Sequence, residues 1–326
     1  MKKRTWIPIL IIAIGVCLAL GGFAAGGMKS LWLDRGGFHL SSNDRGSLVQ
    51  VDEKYTGCTE IVVNVDFLDR VILKEGDDFT VRGQNYERLG GLDVYKDGGK
   101  LLVNATREER WLSIGIDEWQ RSWGGVDTFI EITYPKGAKF DYVNANIAAS
   151  RISASDFECD TLDISNDFGN VELTGITAGR FSVNLSAGDA KIRSVAADSF
   201  RVSNDFGKID LGGVAANSLT LRLSAGDVSG ENVVAGDLDV TSDFGAIRIG
   251  NLTLKERGVV IQSSGEVDIS LDMNEDDLSY ELSTSAGSVS VDGSKFGSSV
   301  INRSAGTSAS LRVDSDFGAV KIKFLR

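Results

Sequence analysis

Apolar positions recur along this chain with two periods at once. From residue 141 onward they fall at every second position, and the whole alternating block returns every 19 residues. One column reads Leu162, Phe181, Phe200, Leu219, Leu238, and the next Ile164, Val183, Val202, Leu221, Val240. Two more read Val171, Ala190, Ile209, Val228, Ile247 and Ile176, Val195, Val214, Val233, Leu252. A period of two belongs to a strand with one buried face. A fixed longer period belongs to stacked coils, where each inward side chain sits on its counterpart one coil away. The pattern predicts an all-β fold: a β-solenoid, single-stranded and β-helix-like, with coils of about 19 residues over 142–326.

Turn residues keep the same beat. Ser165-Asn166-Asp167-Phe168-Gly169 returns as Ser203-Asn204-Asp205-Phe206-Gly207, as Ser242-Asp243-Phe244-Gly245 and as Ser315-Asp316-Phe317-Gly318. Ser186-Ala187-Gly188-Asp189 and Ser224-Ala225-Gly226-Asp227 lie halfway between. Two positions alternate from coil to coil: Asn166, Leu185, Asn204, Leu223, Ser242 and Phe168, Ala187, Phe206, Ala225, Phe244. Both are expected inward, large against small, so that neighbouring coils interdigitate. On that reading Phe206→Asp would put a charge in a dry stack and destabilise severely. A 38-residue true repeat with two similar halves fits the alternation as well as a 19-residue coil does. About ten coils from 141 to 326 would make a rod of about 45–50 Å. Lys321, Lys323 and Arg326 are expected to blunt its exposed last edge.

Residues 47–141 lack the 19-residue period but read as strands, such as 61–67, 70–73, 101–105 and 128–134. They are expected to form a β-rich cap on the first coil. Within the cap, Trp111, Trp119 and Trp123 fall inside thirteen residues that look like an insertion between strands. They are either a flap packed on the cap or an exposed contact surface for glycan, lipid headgroups or a partner protein.

The N-terminus has its own pattern. Lys2, Lys3 and Arg4 precede residues 5–28, which carry no charge. Residues 7–25 are long enough for a transmembrane helix, with Trp6 and Trp32 at interfacial depths. The positive charge before the run puts the bulk of the chain outside the cytoplasm. A cleaved signal peptide ending near Ala24-Ala25-Gly26 is the competing reading. Attachment through Cys17 as a lipoprotein lacks the small residue usual before the cysteine. The expected order is therefore an anchor or signal segment over 1–28, a Gly/Ser-rich tether over 29–46, the cap over 47–141 and the solenoid over 142–326.

Composition narrows the chemistry. A net charge of −12 argues against nucleic acid and against anionic headgroups. With 38 Gly and 2 Pro, the chain has many tight turns and few breaks in its ladders. His39 is the single histidine and follows the uncharged run as a juxtamembrane linker residue, so His-rich metal sites are excluded and a Ser-His-Asp triad is not expected. Cys58 and Cys159 are expected as free buried thiols, with a disulfide between them as the alternative. Asp167, Asp205, Asp243 and Asp316 read as turn residues rather than Ca²⁺ ligands, since each motif supplies only one. No catalytic, cofactor or metal residues are expected.

These features together resemble a bacterial putative-adhesin family of β-strand-repeat proteins, a domain of unknown function frequent in Gram-positive envelopes. The likeness lies in Val63-Asn64-Val65-Asp66-Phe67 through Glu75-Gly76-Asp77-Asp78-Phe79, in Tyr134-Pro135-Lys136-Gly137-Ala138, and in the Ser-x-x-Phe-Gly and Ser-Ala-Gly turns. It spans roughly residues 55–326. The resemblance implies a membrane-anchored envelope protein with no catalytic residues to carry over. The expected function is an extracytoplasmic adhesin-like scaffold or binding module on the cell membrane, not an enzyme. Its expected partners are the membrane and either wall polymer or a membrane regulatory protein, without nucleic acid. The alternatives are a modulator of envelope-stress signalling acting through a membrane partner and, more distantly, a polysaccharide-active β-helix enzyme.

Overall fold

The computed structural model describes residues 30–34, 37–41, 47–106, 112–115, 126–304 and 307–326. Its centre is a pile of long parallel strands: Lys139–Phe168, Val171–Ala187, Ala190–Phe206, Ile209–Ala225, Val228–Phe244 and Ile247–Ser264. Leu162 pairs with Phe181, Phe181 with Phe200, Phe200 with Leu219 and Leu219 with Leu238. The step is 19 residues throughout, so one turn of the winding is 19 residues. The 38-residue regularity is an alternation of side chains laid over that winding. A register shift after Ala235 lengthens the next step to 20, because Lys255-Glu256 adds a residue at that bend.

The burial pattern shows how a 17-residue strand closes into a coil. Val171 and Leu173 are buried, then Ile176 and Ala178, then Phe181, Val183 and Leu185. The step of two becomes a step of three after 173 and again after 178. Each such slip changes which side of the chain faces inward, so it is a bend between two flat faces. The first bend holds Asp156, Gly175, Ser194, Gly213, Asn232 and Asn251, all at left-handed φ of 53 to 68°. Short polar side chains and Gly are the residues that tolerate this region. The third bend holds a file of glycines at φ of 122–144°: Gly169, Gly188, Gly207, Gly226, Gly245, Gly265 and Gly318. A Cβ on Gly207 would lie 2.1 Å from the Gly188 carbonyl oxygen. The coils therefore approach too closely at this bend for any other residue.

Inside, the four apolar columns are buried as the spacing predicts. Phe181 and Phe200 stack face to face with centroids 4.6 Å apart, which is the distance between neighbouring strands.

The two ends depart from a simple winding. The strand Glu60–Gly76 lies within the pile, parallel to Lys139–Phe168 on one side and to Lys100–Ala105 and Phe129–Pro135 on the other. The region 47–141 thus contributes coils of its own instead of only capping the first one. It shows no period because the chain leaves after residue 76 to build the outer coil and then returns to the inner side. The C-terminal end is interleaved in the same manner. Ala309–Phe317 sits between Ile247–Ser264 and Leu278–Ala286, and Val320–Phe324 sits between Val267–Leu271 and Val289–Val291. The last residues are therefore an inner level and do not blunt an edge. Lys321 bonds Glu266 on the neighbouring level, and Arg326 grips Asp272 at 2.7 and 2.8 Å.

Antiparallel strands cover both outermost levels. Asp93–Asp97 and Thr80–Tyr86 pair with the N-terminal one, and Ser299–Asn302 and Ser294–Lys295 with the C-terminal one. Covered edges keep a solenoid from extending onto other chains.

The anchor expected over 1–28 lies outside the described residues. Among the described residues, no helix is long and apolar enough to cross a membrane. The stretch expected as a tether contains the strands Ser30–Asp34 and Gly37–Ser41, which pair antiparallel, and the first also pairs with Leu112–Gly115.

The glycine file yields a sharp expectation. Gly207→Ala should lose more than about 3 kcal/mol in denaturant unfolding, because it meets both a backbone clash and a disfavoured φ. Gly137→Ala, at φ 70° with open space around it, should lose only about 1 kcal/mol. Equal losses would mean that close approach at the third bend does not hold the coils together.

Candidate interaction surface

The third bend also carries the most unusual surface of the molecule. Asn166, Asn204, Ser242 and Ser315 are the last inward residues before it and are buried. Two positions later stand Phe168, Phe206, Phe244 and Phe317, each 62–63% exposed. The inward placement expected for Phe206 and its equivalents is therefore overturned. Alternation alone would bring them inside, but the chain turns at the following glycine. Position 168 thus lies beyond the end of the flat face and projects from the outer corner.

Four of the buried polar residues beneath this corner bond the glycine turn. Asn166 Nδ2 donates to the Ser150 carbonyl and Asn204 Nδ2 to the Gly188 carbonyl, both at 2.9 Å. Gln262 Nε2 donates to the Gly245 carbonyl, and the Thr284 hydroxyl to that of Gly318 at 3.0 Å. Asn166 and Asn204 are thus inward and bonded to turn backbone, as their place in the repeat suggests.

Backbone pairing fixes which residues stand next to one another along the corner. Phe67 pairs with Ala149, and Phe168 with Ala187. Ala187 pairs with Phe206, Phe206 with Ala225, Ala225 with Phe244 and Phe244 with Ser264. Phe317 then pairs with both Ser264 and Ala286. The corner thus presents Phe at every second level with Ala or Ser between, about 9.6 Å from one Phe to the next. The four projecting rings form a broken apolar ridge.

The residue before each member of the file alternates too. Asp66, Asp167, Asp205, Asp243 and Asp316 precede the phenylalanines, whereas Ala148, Ser186, Ser224, Ser263 and Ser285 precede the small residues. Asp167, Asp205, Asp243 and Asp316 are exposed. The carboxylates that bond the turn backbone are others, one position beyond the glycine. Asp189 accepts from the Lys208 N–H at 2.9 Å and Asp227 from the Ala246 N–H at 2.8 Å. Among the described residues, no group of three or more His, Cys, Asp or Glu is placed to hold a metal ion.

A second feature is an axial groove of about 590 Å³ along the second bend, floored by Ala178, Ala197 and Ala216. Three of its charged side chains have partners within it. Lys139 pairs with Glu158 at 2.6 Å, and Asp198 accepts from Asn217 at 3.0 Å. Cys159 lines the groove, where burial, helped by the charge of Asp160, pushes its thiol up to about 12. It therefore stays protonated and weakly nucleophilic. Burial likewise raises the Cys58 thiol, and both cysteines are free. Near the N-terminal end of the corner, a smaller hollow of about 470 Å³ holds a stack of amides. There Asn64 Nδ2 donates to Asn104 at 2.9 Å and Asn146 Nδ2 to Asn64 at 3.2 Å.

Trp111, Trp119 and Trp123, the contact surface suggested by composition, lie outside the described residues. Sequence reading found the phenylalanine column but assigned it to the wrong side. The signal that could have placed it is the glycine directly after each phenylalanine, which ends the alternation one step too early for an inward residue.

Residues 58–323 match the family model described as Toastrack DUF4097. No curated protein matches the chain. Among solved structures it is similar to a putative adhesin from Bacteroides fragilis, with 12% identity, 86% of this chain and 97% of that one covered, and a TM-score of 0.41. It is also similar to a putative lipid binding protein from Parabacteroides distasonis, with 11% identity, coverage of 86% and 98%, and a TM-score of 0.41. A putative adhesin from the same organism aligns at 12% identity over 85% and 97%, with a TM-score of 0.30.

The corner geometry predicts opposite fates for two phenylalanines six residues apart. Phe206→Asp should shift unfolding free energy by less than about 1 kcal/mol, as an exposed site does. Phe200→Asp, at a position 1% exposed, should cost more than about 4 kcal/mol or abolish folding. Parallel thermal melts of the two variants check this. A Phe206→Asp protein that fails to fold would return that ring to the core.

Proposed function

We propose that this chain, which belongs to the Toastrack DUF4097 family, is a non-catalytic binding module. It acts as a rigid, adhesin-like scaffold held on the outer side of the cell membrane. The observation that carries the reading is the file of projecting phenylalanines on a stack whose two ends are both closed. A solenoid fixed at every level presents such a file with little loss of conformational freedom on binding. The pairing of Lys139 with Glu158 in the groove and the protonated Cys159 thiol support a role in contact rather than in chemistry. The placement outside the membrane rests on the sequence, where three basic residues precede the uncharged run 5–28.

The test compares the full chain with a variant in which Phe168, Phe206, Phe244 and Phe317 are all Ser, both expressed in cells. Both proteins should fractionate with membranes and be cleaved by protease added outside intact cells. In gently solubilised envelopes the unmodified chain should migrate in a larger complex than the variant. Identical complexes would remove the corner as the binding surface, and protection from external protease would remove the extracytoplasmic placement.

A further inference from the structure

The alternation along the corner is not forced by crowding. Stacked rings at neighbouring levels are compatible with this winding, since Phe181 and Phe200 stack at 4.6 Å inside the core. An unbroken ladder of phenylalanines would therefore fit, and the gaps are not forced by crowding. The residue beneath alternates with the file over its middle but not at its ends. Asn166, Asn204, Ser242 and Ser315 lie under Phe, and Ile147, Leu185 and Leu223 under Ala, whereas Val65 lies under Phe67 and the polar Gln262 and Thr284 lie under Ser264 and Ala286. The inner residue changes character without disturbing the outer file.

A duplicated 38-residue unit does not explain the gaps either. At both ends the order of levels departs from the order of the chain. Phe67 lies beside Ala149, and Phe317 is wedged between Ser264 and Ala286. The file nevertheless keeps its alternation through both interruptions, over ten levels from Phe67 to Ala286. It is ordered in space, not in sequence, which is the mark of a surface that meets something with the same spacing.

We infer that this corner is the contact face between two copies of the chain, joined antiparallel about a two-fold axis. A partner that fills every gap must repeat at the same two-level spacing, and a second copy has that spacing by construction. A closed pair of identical chains needs one self-complementary surface. With the rods parallel about a two-fold axis along their length, each level faces its own copy and Phe meets Phe. With the rods antiparallel and all ten levels overlapping, every Phe meets a small residue. Phe206 then faces Ala225 of the second copy, Phe244 faces Ala187, Phe168 faces Ser264 and Phe317 faces Ala149.

The preceding column obeys the same rule. Its aspartates fall opposite Ala or Ser, so no two carboxylates stand face to face, which like charges require. The area is adequate as well. Four rings about 62% exposed offer on the order of 500 Å² per copy. Both copies together reach the roughly 1,000 Å² that a specific interface needs.

This inference rests on the reading of the corner as a binding surface, and its test separates the two. The full-length chain, purified in detergent, should sediment as a dimer. The variant with Phe168, Phe206, Phe244 and Phe317 all changed to Ser should dissociate more than about tenfold more readily, the loss expected when central aromatic anchors are truncated. At concentrations low enough for both chains to be monomeric its melting should be unchanged, because the rings are exposed in the single chain. Orientation is read with two single substitutions, Ser186→Cys and Asp243→Cys, which face each other across the antiparallel pair. Mixing the two chains under oxidation should give a covalent dimer that neither gives alone.

A monomeric full-length chain, a variant that still dimerises, or cross-links of each chain with itself would each overturn the proposal. If the full-length chain is monomeric but the serine variant still loses its larger complex in envelopes, the corner binds a different partner. The binding-module reading then stands without the second copy.

Discussion

The structure depends on one contact repeated along its axis, the hydrogen bond from the glycine of the third bend to the carbonyl one level away. Gly169 N donates to Ala187 O, Gly188 N to Phe206 O, Gly207 N to Ala225 O and Gly226 N to Phe244 O. The series continues from Gly245 to Ser264, from Gly265 to Phe317 and from Gly318 to Ala286, all between 2.9 and 3.1 Å. These bonds require the glycine conformation and the absence of a Cβ together. They hold neighbouring levels in register at the point where the chain changes direction. The acceptors are the carbonyls of the Phe and Ala/Ser file, so the bond that sets the level spacing also sets the spacing of the projecting rings.

Core and surface follow from this single constraint. With the levels locked, each inward column is a continuous apolar file, and the stacked pair Phe181 and Phe200 shows how closely the side chains follow the backbone spacing. The outward residues inherit the same order. A surface made this way is rigid and periodic, and it suits another object of equal period better than a small ligand. The interleaved ends carry the order to the last level, because the C-terminal strands Ala309–Phe317 and Val320–Phe324 are held on both sides.

Much of this was legible in the sequence. The 19-residue step, the four buried columns and the inward Asn166 and Asn204 all follow from identity kept at a fixed period, since each coil has the same surroundings as the last. The likeness to the adhesin-type repeat family is likewise met by the match over residues 58–323. What escaped has a common cause: periodicity reports neighbours only while the chain visits levels in order. Glu60–Gly76 and Ala309–Phe317 take levels out of order, so the coil in the supposed cap and the inner position of the last strands left no period to read. The outward turn of Phe206 was missed for a local reason, since strict alternation fails at a residue followed by a bend. The tryptophans 111, 119 and 123, chosen by composition, fall beyond the described residues, and the surface that emerged is made of a commoner aromatic in a rarer arrangement.

The central claim is that levels are ordered in space and not along the chain, and a distance measurement tests it most directly. Spin labels at position 168 and at either 286 or 317, on the full chain diluted with unlabelled protein, can be measured by pulsed electron resonance. Position 286 lies seven levels from 168 and position 317 lies six, so the account predicts about 34 Å for the first pair and about 29 Å for the second. A longer distance to 317 than to 286 would mean that the chain winds in simple order to its end, and the continuous file of alternating phenylalanines would not exist.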